Sequence, residues 1–415
     1  MSETMTPPTD AQTEPIGEKA GCPVVHYDIG ARRPVGSYFA DQDRMRETAD
    51  IFWNEWGGTG GFWMLMRHDL VREAFQTPEV FSSDATIVTI PDPQYHWIPT
   101  MENPPQHTDF RRLLNGTFSP RRVNALDERI REHCRASMAS FVDNGRADLV
   151  AEFAMEFPTR VFLEIVGLPT EDTEDFVTWV ETIFAGFSDP ALMDDMAAAQ
   201  ASIRGYFEEL LEDRKRHPRP DEEEDFFTIL AHGTVKDRPL TDEEFLNIAE
   251  VIVLAGLDTI KSQLGYMFHH LATHPEDRQR LLDEPEIIPY AVEEFLRVHA
   301  IVMDGRQVAE DTEFHGCPMK KGDMVLVNLP AASRDPREFE DATEVVLDRK
   351  VNRHLALAGG PHRCLGAHLA RKELAIALEE FHAAIPSYRL DPDQGEILES
   401  GPQLGLDKLV LLWED

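Results

Sequence analysis

The segment from His354 to Gly366 reads His-Leu-Ala-Leu-Ala-Gly-Gly-Pro-His-Arg-Cys-Leu-Gly, with its cysteine at position 364. Gly359 and Gly360 allow the backbone to approach a large flat ligand, because glycine has no side chain. A helical pattern begins directly after Cys364, so the helix dipole and free backbone N–H groups favour a thiolate there. Such a thiolate is a good iron ligand and also a good nucleophile, whereas a lone cysteine is more often a buried structural residue.

A long helix is predicted upstream of this segment, between Thr241 and His274. Thr241 and Glu244 form a capping-box pattern, apolar residues then recur with helical spacing, and His274-Pro275 ends the pattern. At ~1.5 Å per residue the helix is roughly 50 Å long, so we expect it to run through the core.

The middle of this helix contains two polar residues, Asp258 and Thr259, after Ala255 and Gly256. Polar side chains inside an apolar core are costly unless they are used. Gly256, together with a threonine that can bond back to a helix carbonyl, is expected to loosen the helix locally. Taken alone, the pair is also explained as a solvent-facing Asp-Thr.

The remaining pattern predicts a mainly α fold with a minor β region. Helical periodicity dominates residues 123–299, and a last helix is expected from Leu365 to about Ile385. The predicted strands and hairpin segments are short: Gly61–Arg67, Glu313–Pro318, Met324–Asn328 and Asp407–Trp413. With no internal repeat, we expect a flexible acidic tail over residues 1–20 and a single catalytic domain over 21–415.

The composition excludes several classes of protein. Acidic residues outnumber basic ones by 76 to 40, a formal charge of -36, which disfavours nucleic acid and anionic membranes as partners. No run of about 18 apolar residues or signal-peptide pattern occurs, so no membrane association is expected. The four cysteines are widely spaced, so we expect no disulfide framework and a cytoplasmic location.

The cysteine segment resembles the haem-binding loop of the cytochrome P450 family, in which an aromatic residue, a glycine and the cysteine stand at fixed spacing. Gly360, Cys364 and Gly366 match this pattern, while Leu357 stands where the family usually has Phe and Ala358 where it often has Gly. The resemblance implies the P450 fold, with a long central helix over haem b (iron protoporphyrin IX) and Cys364 as axial ligand of the iron.

Two further segments resemble family motifs. Ala255-Gly-Leu-Asp-Thr259 is similar to the oxygen-activation motif, which implies Ala255 and Gly256 beside the haem and Asp258 and Thr259 as catalytic proton relay. Glu294-Phe-Leu-Arg297 is similar to the structural ExxR pair, although an i,i+3 ion pair is common by itself. The third, basic partner of that pair falls near Glu344 by spacing, so we expect an incomplete triad.

Four residues are expected to hold the haem propionates. His107 and Arg111 are spaced i,i+4 and share a helix face suited to a carboxylate. The resemblance assigns this segment to a propionate and adds His362 and Arg306 by position. Taken singly, each of the four residue types is more often a surface charge; as a set they suit an anionic cofactor.

Tyr95-His-Trp-Ile-Pro-Thr100 and Val302-Met-Asp-Gly-Arg306 resemble the camphor monooxygenase branch, in which a tyrosine at the position of Tyr95 orients the substrate. The expected pocket is apolar and suits a terpenoid-like or aromatic molecule: Tyr95, Trp97, Val251, Leu254, Ala255, Val302 and Met303. A Tyr near a Trp is more often simple core packing.

A basic island surrounds the cysteine in this acidic chain. Residues 349–372 include no Asp or Glu, and Arg111, Arg112, Arg121 and Arg122 form a second cluster. An acidic iron–sulfur ferredoxin, reduced by its own reductase, is therefore the expected electron donor. The expected docking residues are Arg112, Arg353, Arg363 and Lys372.

Together these features predict a haem-thiolate monooxygenase that uses dioxygen and a small apolar substrate. A peroxide-driven hydroxylase on the same fold needs no Asp258-Thr259 relay, and a haem sensor or carrier predicts no product and no substrate-induced spin change. A cysteine hydrolase would need a His/Asn set that no motif supplies.

Overall fold

The computed structural model describes residues 13–57, 60–188, 190–217, 225–401 and 403–414. These residues form two compact units. Of the described residues, those within 13–95, 293–363 and 395–407 form the sheet unit, and those within 96–292, 364–394 and 408–414 form the helical unit. A single catalytic domain over 21–415 stays a prediction.

Helices account for most of the regular structure, as predicted. In chain order they are α1 (Ser37–Thr48), α2 (His68–Gln76), α3 (Gln106–Leu114), α4 (Pro120–Ala125), α5 (Asp127–Met138), α6 (Glu156–Val166), α7 (Thr173–Ser188), α8 (Met193–Arg216), α9 (Phe226–Ala231), α10 (Asp242–Thr273), α11 (Pro275–Asp283), α12 (Ile288–Val298), α13 (Leu329–Ser333) and α14 (Ala367–Ala384).

The strands are short. They are β1 (Gly17–Lys19), β2 (Cys22–Val25), β3 (Arg33–Pro34), β4 (Ile51–Asn54), β5 (Phe62–Leu65), β6 (Phe81–Ser82), β7 (Arg146–Asp148), β8 (Thr234–Val235), β9 (Arg238–Pro239), β10 (Met303–Val308), β11 (Thr312–Phe314), β12 (Cys317–Met319), β13 (Met324–Asn328), β14 (Arg389–Leu390), β15 (Leu398–Ser400), β16 (Gly405–Leu406) and β17 (Val410–Leu412).

The sheet unit is built on a seven-stranded sheet of order β1-β2-β4-β5-β13-β10-β6. The pairs β2/β4 and β5/β13 are parallel, and the other pairs are antiparallel. Strand β1 lies within the segment predicted as a tail, so the ordered chain begins earlier than expected; residues 1–12 of that segment lie outside the described residues.

Helix α10 is the core of the helical unit. Thr241 and Glu244 make both hydrogen bonds of the predicted capping box, and His274 is the C-cap. Its neighbours within the unit are α6, α7, α8, α9 and α14. Both predictions, the bounds of the helix and its path through the core, are confirmed. Within the described part of the chain, no helix combines the length and apolarity needed to span a membrane.

The cysteines correct one prediction. Cys22 and Cys317 form a disulfide bond in the sheet unit, with their Cα atoms 6.0 Å apart and a sequence separation of 295. The expectation of a chain without disulfides is therefore wrong. That expectation relied on the wide spacing of the cysteines in the sequence. The two hairpins that carry Cys22 and Cys317 are brought together only by the fold.

Candidate active site

Cys364 immediately precedes α14, and its side chain is exposed. Gly366 is the N-cap of this helix, and among the described residues no side chain caps this end. The helix dipole and backbone N–H groups therefore act on the sulfur and favour its anionic form. In the same unit burial lowers the pKa of Arg111, and the negative charge of Cys364 acts in the opposite direction. Arg111 is thus a second feature that stabilises a thiolate.

The loop before Cys364 is shaped by α2 within the sheet unit. Gly360 has a φ of 60°, and a Cβ on it would lie 2.2 Å from the carbonyl oxygen of Phe75. The following turn, Gly360–His362, places Nε2 of His362 3.1 Å from Oγ of Ser83. Glycine is therefore required at position 360, but the group that approaches it is the chain's own backbone.

The burial of α10 is interrupted at its middle. Val251 and Leu254 are buried, whereas Ala255 is exposed and Gly256 is half-buried. A Cβ on Gly256 would lie 2.7 Å from Cδ2 of Phe162, so the glycine allows α6 to pack closely against α10. The role of Gly256 in the structure is thus helix packing, and Ala255 is the small residue that leaves one side of the core helix accessible.

Thr259 bonds back to its own helix, as predicted. Its Oγ1 donates a hydrogen bond of 2.9 Å to the carbonyl oxygen of Ala255. Because the two residues are four apart, the hydroxyl lies on the same face of α10 as the exposed Ala255. The hydroxyl is therefore held beside the accessible part of the helix.

Asp258 is buried and is the innermost of three charged side chains that form consecutive ion pairs. Nζ of Lys261 lies 3.6 Å from its Oδ1 and 3.4 Å from Oε1 of Glu181 on α7. The side-chain exposures are 8% for Asp258, 18% for Lys261 and 48% for Glu181, so these ion pairs run from the interior to the surface. Burial raises the pKa of Asp258, and Lys261 opposes this rise. Sequence reasoning missed Lys261, although its i,i+3 spacing from Asp258 was a usable signal.

The predicted propionate partners divide between the two units. In the helical unit, His107 is buried, and Nε of Arg111 donates to Oδ1 of Asn115 at 3.2 Å. In the sheet unit, buried Arg306 has Nη1 2.9 Å from Oδ1 of Asp304. Arg306 therefore already has a carboxylate partner within its own strand.

Glu294 and Arg297 form a fully buried ion pair on α12, with both side chains 0% exposed and Nη2 2.7 Å from Oε1. Arg349 is the third, basic member of this cluster, since its Nε lies 3.1 Å and 3.0 Å from the two carboxylate oxygens of Glu294. The expectation of an incomplete triad is therefore wrong. Glu344 contributes only its carbonyl oxygen, which accepts from Arg297 at 2.8 Å.

The Glu294–Arg297–Arg349 cluster also makes hydrogen bonds to the main chain. Arg297 also donates to the carbonyl oxygens of Ser333 at 3.0 Å and Ala342 at 2.6 Å. Although burial alone would raise the pKa of Glu294, the hydrogen bonds and charge of Arg297 hold it below its ordinary value. The cluster connects α12 to the end of α13 and to the segment that follows it, which agrees with the structural role predicted for the pair.

The predicted substrate residues also belong to both units. Val251, Leu254, Ala255 and Trp97 lie in the helical unit; Tyr95, Val302 and Met303 lie in the sheet unit. Burial raises the pKa of Tyr95 to about 12, so its phenol is neutral. Sδ of Met303 accepts a hydrogen bond from Tyr38 at 3.0 Å.

The predicted docking cations differ in their availability. Arg112 and Arg353 have side-chain exposures of 75% and 73%, and Arg363 is exposed as well. Both arginines have carboxylate partners, since Nη1 of Arg112 lies 3.3 Å from Oδ1 of Asp109 and Nη1 of Arg353 lies 3.6 Å from Oε1 of Glu338. Lys372 is less available, because its side chain is only 26% exposed and its Nζ lies 2.6 Å from Oδ1 of Asp127.

Comparison with known proteins identifies the class. The family model for cytochrome P450 matches residues 33–402. A probable cytochrome P450 127A1 of Sinorhizobium fredii is 34% identical over 356 residues, covering 85% of this chain and 84% of the relative. The vitamin D(3) 25-hydroxylase of Pseudonocardia autotrophica is 32% identical over 360 residues, with coverage of 85% and 84%. The chain therefore belongs to the cytochrome P450 family.

Solved structures agree with this assignment. The crystal structure of CYP101J2 superposes with a TM-score of 0.85 at 29% identity, covering 100% of both chains. That of cytochrome P450 CYP101C1 gives a TM-score of 0.84 at 29% identity, covering 94% of this chain and 98% of the other. The chain thus has the P450 fold and is a P450 monooxygenase, and the resemblance to the camphor monooxygenase branch is supported.

The family implies a haem, and the residues of this chain fit one. Among the described residues no group of three His, Cys, Asp or Glu side chains is placed to hold a metal ion. Cys364 alone is one soft donor, which suits an iron whose other ligands come from a macrocycle. The side chain of Cys364 is exposed, so its sulfur is accessible to such a group.

Proposed function

We propose that this monooxygenase binds haem b through Cys364 and inserts one oxygen atom of dioxygen into a C–H bond of a small apolar, terpenoid-like or aromatic substrate. The observation that carries the proposal is the exposed sulfur of Cys364 at the beginning of α14, beside the charge of Arg111. Bound haem would supply the binding and reductive activation of dioxygen, with the thiolate as a strongly donating ligand. A relative whose name is vitamin D(3) 25-hydroxylase supports C–H oxidation as the reaction.

The catalytic role that we assign to Asp258 and Thr259 is the delivery of protons. The carboxyl group of Asp258 is pulled toward its protonated form by burial and toward its charged form by Lys261, so it can both hold and release a proton. The hydroxyl of Thr259 must turn away from the carbonyl oxygen of Ala255 before it can donate elsewhere. Ala255 and Gly256 give that hydroxyl an accessible neighbourhood.

Four side chains are proposed to hold the haem propionates: His107, Arg111, Arg306 and His362. In the helical unit, His107 is buried and Arg111 bonds to Asn115; in the sheet unit, Arg306 is buried and His362 bonds to Ser83. These contacts support the proposed positions of the four side chains. For Arg306 the propionate would compete with Asp304, which lies 2.9 Å away.

The substrate is proposed to be apolar and compact, with one oxygen-bearing group at most. The seven predicted lining residues include only one phenol and one indole as polar groups, so they offer few hydrogen bonds to a polar molecule. A screen of terpenoids and small aromatics for a low-to-high spin shift would identify the class. A set of hits dominated by charged or sugar-like compounds would contradict this part of the proposal.

Electrons are proposed to come from an acidic iron–sulfur ferredoxin and its reductase, in the cytoplasm. The exposed cations Arg112, Arg353 and Arg363 on a chain of charge -36 support an acidic partner, since the rest of the surface would repel it.

The test of the function is Cys364→Ser in the purified holoprotein. We expect the thiolate-type carbon monoxide difference spectrum to be lost, because a hydroxyl is a harder and weaker donor. Cys134→Ser is the matched control, since Cys134 is buried in α5. A Cys364→Ser variant that keeps the spectrum would show that another residue is the ligand. Wild-type turnover with peroxide alone, or haem binding without any product, would instead support a peroxide-driven hydroxylase or a haem sensor.

A further inference from the structure

The two bonded cysteines occupy equivalent positions in two hairpins of the sheet unit. Cys22 follows the turn Ala20-Gly21, whose φ angles are 51° and 88°, and Cys317 follows His315-Gly316, whose φ angles are 48° and 86°. Both are two-residue turns with positive φ at each position, which is the geometry of a tight antiparallel hairpin. The sequence Gly-Cys-Pro occurs at both places, so each cysteine directly follows the glycine of its turn.

The bond ties an edge of the large sheet to a separate hairpin. Strand β1 is the first strand in the order of the seven-stranded sheet and pairs with β2, which continues to β4 through Val24↔Trp53 and Val25↔Asn54. Strand β12 pairs with β11 in a two-stranded sheet of its own. The disulfide therefore anchors the β1–β2 hairpin to a part of the chain 295 residues away.

A cleft gives access to this bond. It has a volume of about 310 Å³, and both cysteines line it together with Asp50, Arg67, Leu70 and His315. The two cysteines are only 4% and 5% exposed, so a protein surface has little to contact, whereas a small molecule can enter the cleft that both residues line.

We propose that Cys22–Cys317 is a thiol–disulfide exchange site for low-molecular-weight thiols that enter this cleft. Its redox state then decides whether the β1–β2 hairpin is covalently attached to β12. In reduction, a thiolate attacks one sulfur, the S–S bond breaks, and a mixed disulfide and one cysteine thiolate form. A second small thiolate then attacks the small-molecule sulfur of the mixed disulfide and displaces the other cysteine as a thiolate, so that after protonation two cysteine thiols and one small disulfide remain. Oxidation is the reverse, with a small disulfide as oxidant and two small thiols released. The proposal does not depend on the monooxygenase function.

The experiment uses the holoprotein in buffers of fixed reduced and oxidised glutathione ratio, followed by alkylation and peptide mapping. We expect Cys22 and Cys317 to become labelled together as the buffer becomes reducing, at a rate that rises with thiol concentration and is unchanged by low denaturant. The reduced protein should melt about 5 °C lower, because removing a native disulfide destabilises the folded state. Cleavage within residues 16–25 by a dilute protease should rise in parallel.

Three variants make the result decisive. Cys22→Ser should trap glutathione on Cys317 as a mixed disulfide of defined mass, and Cys22→Ser/Cys317→Ser should melt at one temperature in both buffers. Cys134→Ser should keep the redox-dependent shift. The proposal is overturned if the two cysteines are labelled equally in both buffers, or if reduction proceeds only at the rate of global unfolding.

Discussion

Nζ of Lys261 lies 3.6 Å from Oδ1 of Asp258, so a buried carboxylate in the middle of the core helix has its cation one turn further along the same helix. Glu181 on α7 holds the other side of Lys261 at 3.4 Å. The charge state of Asp258 is therefore set by a balance between burial, which raises its pKa, and Lys261, which opposes the rise.

Replacing Lys261 by Met should shift this balance toward the protonated acid. A carboxyl group with a raised folded-state pKa contributes stability that is fully present below its unfolded pKa and is lost as the pH rises through the folded pKa. We therefore expect the free energy of unfolding of Lys261→Met to fall more steeply than that of wild type as the pH rises above about 4. Urea unfolding at a series of pH values measures the slopes.

Two controls accompany that variant. Asp258→Asn in the Lys261→Met background should remove the extra slope, and Lys215→Met, which breaks an ion pair with Asp242 at 2.7 Å on the surface, should leave the wild-type slope. Equal slopes for wild type and Lys261→Met would show that Lys261 does not tune Asp258.

Thr259→Ala and Asp258→Asn should damage turnover in different ways. Without the Thr259 hydroxyl, substrate should still bind and reductant be consumed, but peroxide should appear in place of product because protons are misdirected. Asp258→Asn should slow the whole cycle, by about 100-fold for loss of a general acid. The measurements are product per reductant and peroxide released. Thr178→Ala is the matched control, since the hydroxyl of Thr178 makes the same kind of backbone bond, at 2.8 Å, at an exposed position of α7. Unchanged coupling in Thr259→Ala would exclude Thr259 from the mechanism.

Tyr95→Phe tests the proposed substrate contact. The phenol is neutral because burial raises its pKa to about 12, and one net hydrogen bond from it contributes roughly 0.5–1.5 kcal/mol. We expect an oxygen-bearing substrate to bind about 2- to 13-fold more weakly by spin-shift titration, with a broader product distribution. Tyr206→Phe, whose hydroxyl bonds to Asp172 at 2.7 Å, is the control. Unaltered affinity and products would reduce Tyr95 to packing.

Arg297→Met should destabilise the sheet unit strongly. It leaves the Glu294 carboxylate without its fully buried partner, and breaking a buried ion pair in this way costs about 3–5 kcal/mol. Arg349→Met should cost less, because Arg349 is partly exposed and Arg297 remains. Since the folded-state pKa of Glu294 is lowered, its contribution in wild type is present above its unfolded pKa and is lost as the pH falls through the folded pKa. Denaturant unfolding at neutral and acidic pH measures both effects, and a loss below 1 kcal/mol for Arg297→Met at neutral pH would contradict the structural role.

Charge reversal at Arg112 or Arg363 should slow reduction by an acidic ferredoxin while leaving substrate binding unchanged. The reduction rate of wild type should fall as salt rises, because the steering is electrostatic. Stopped-flow reduction measures both. Arg204→Glu on α8 is the control, since Arg204 pairs with Glu243 at 2.6 Å outside the predicted docking set. A rate indifferent to salt and to both reversals would place the docking surface elsewhere.

Local features of the chain were predictable because they depend on near neighbours in sequence. The capping box of Thr241 and Glu244, the back-bond of Thr259 and the Glu294–Arg297 pair each join residues three or four apart, where helix geometry alone brings side chains together. The spacing around Cys364 likewise indicated the family before any fold was known.

Tertiary structure alone decided what depends on distant segments. Arg349 reaches Glu294 across 55 residues, Phe162 explains why position 256 must be glycine, and Cys22 bonds to Cys317 across 295 residues. Periodicity carries no information about which elements pack together, because that choice is made by the burial of whole faces rather than by any short spacing. The sequence by itself therefore determined the class of chemistry and the local geometry of its residues, and the packed structure determined which groups neutralise, orient and cross-link them.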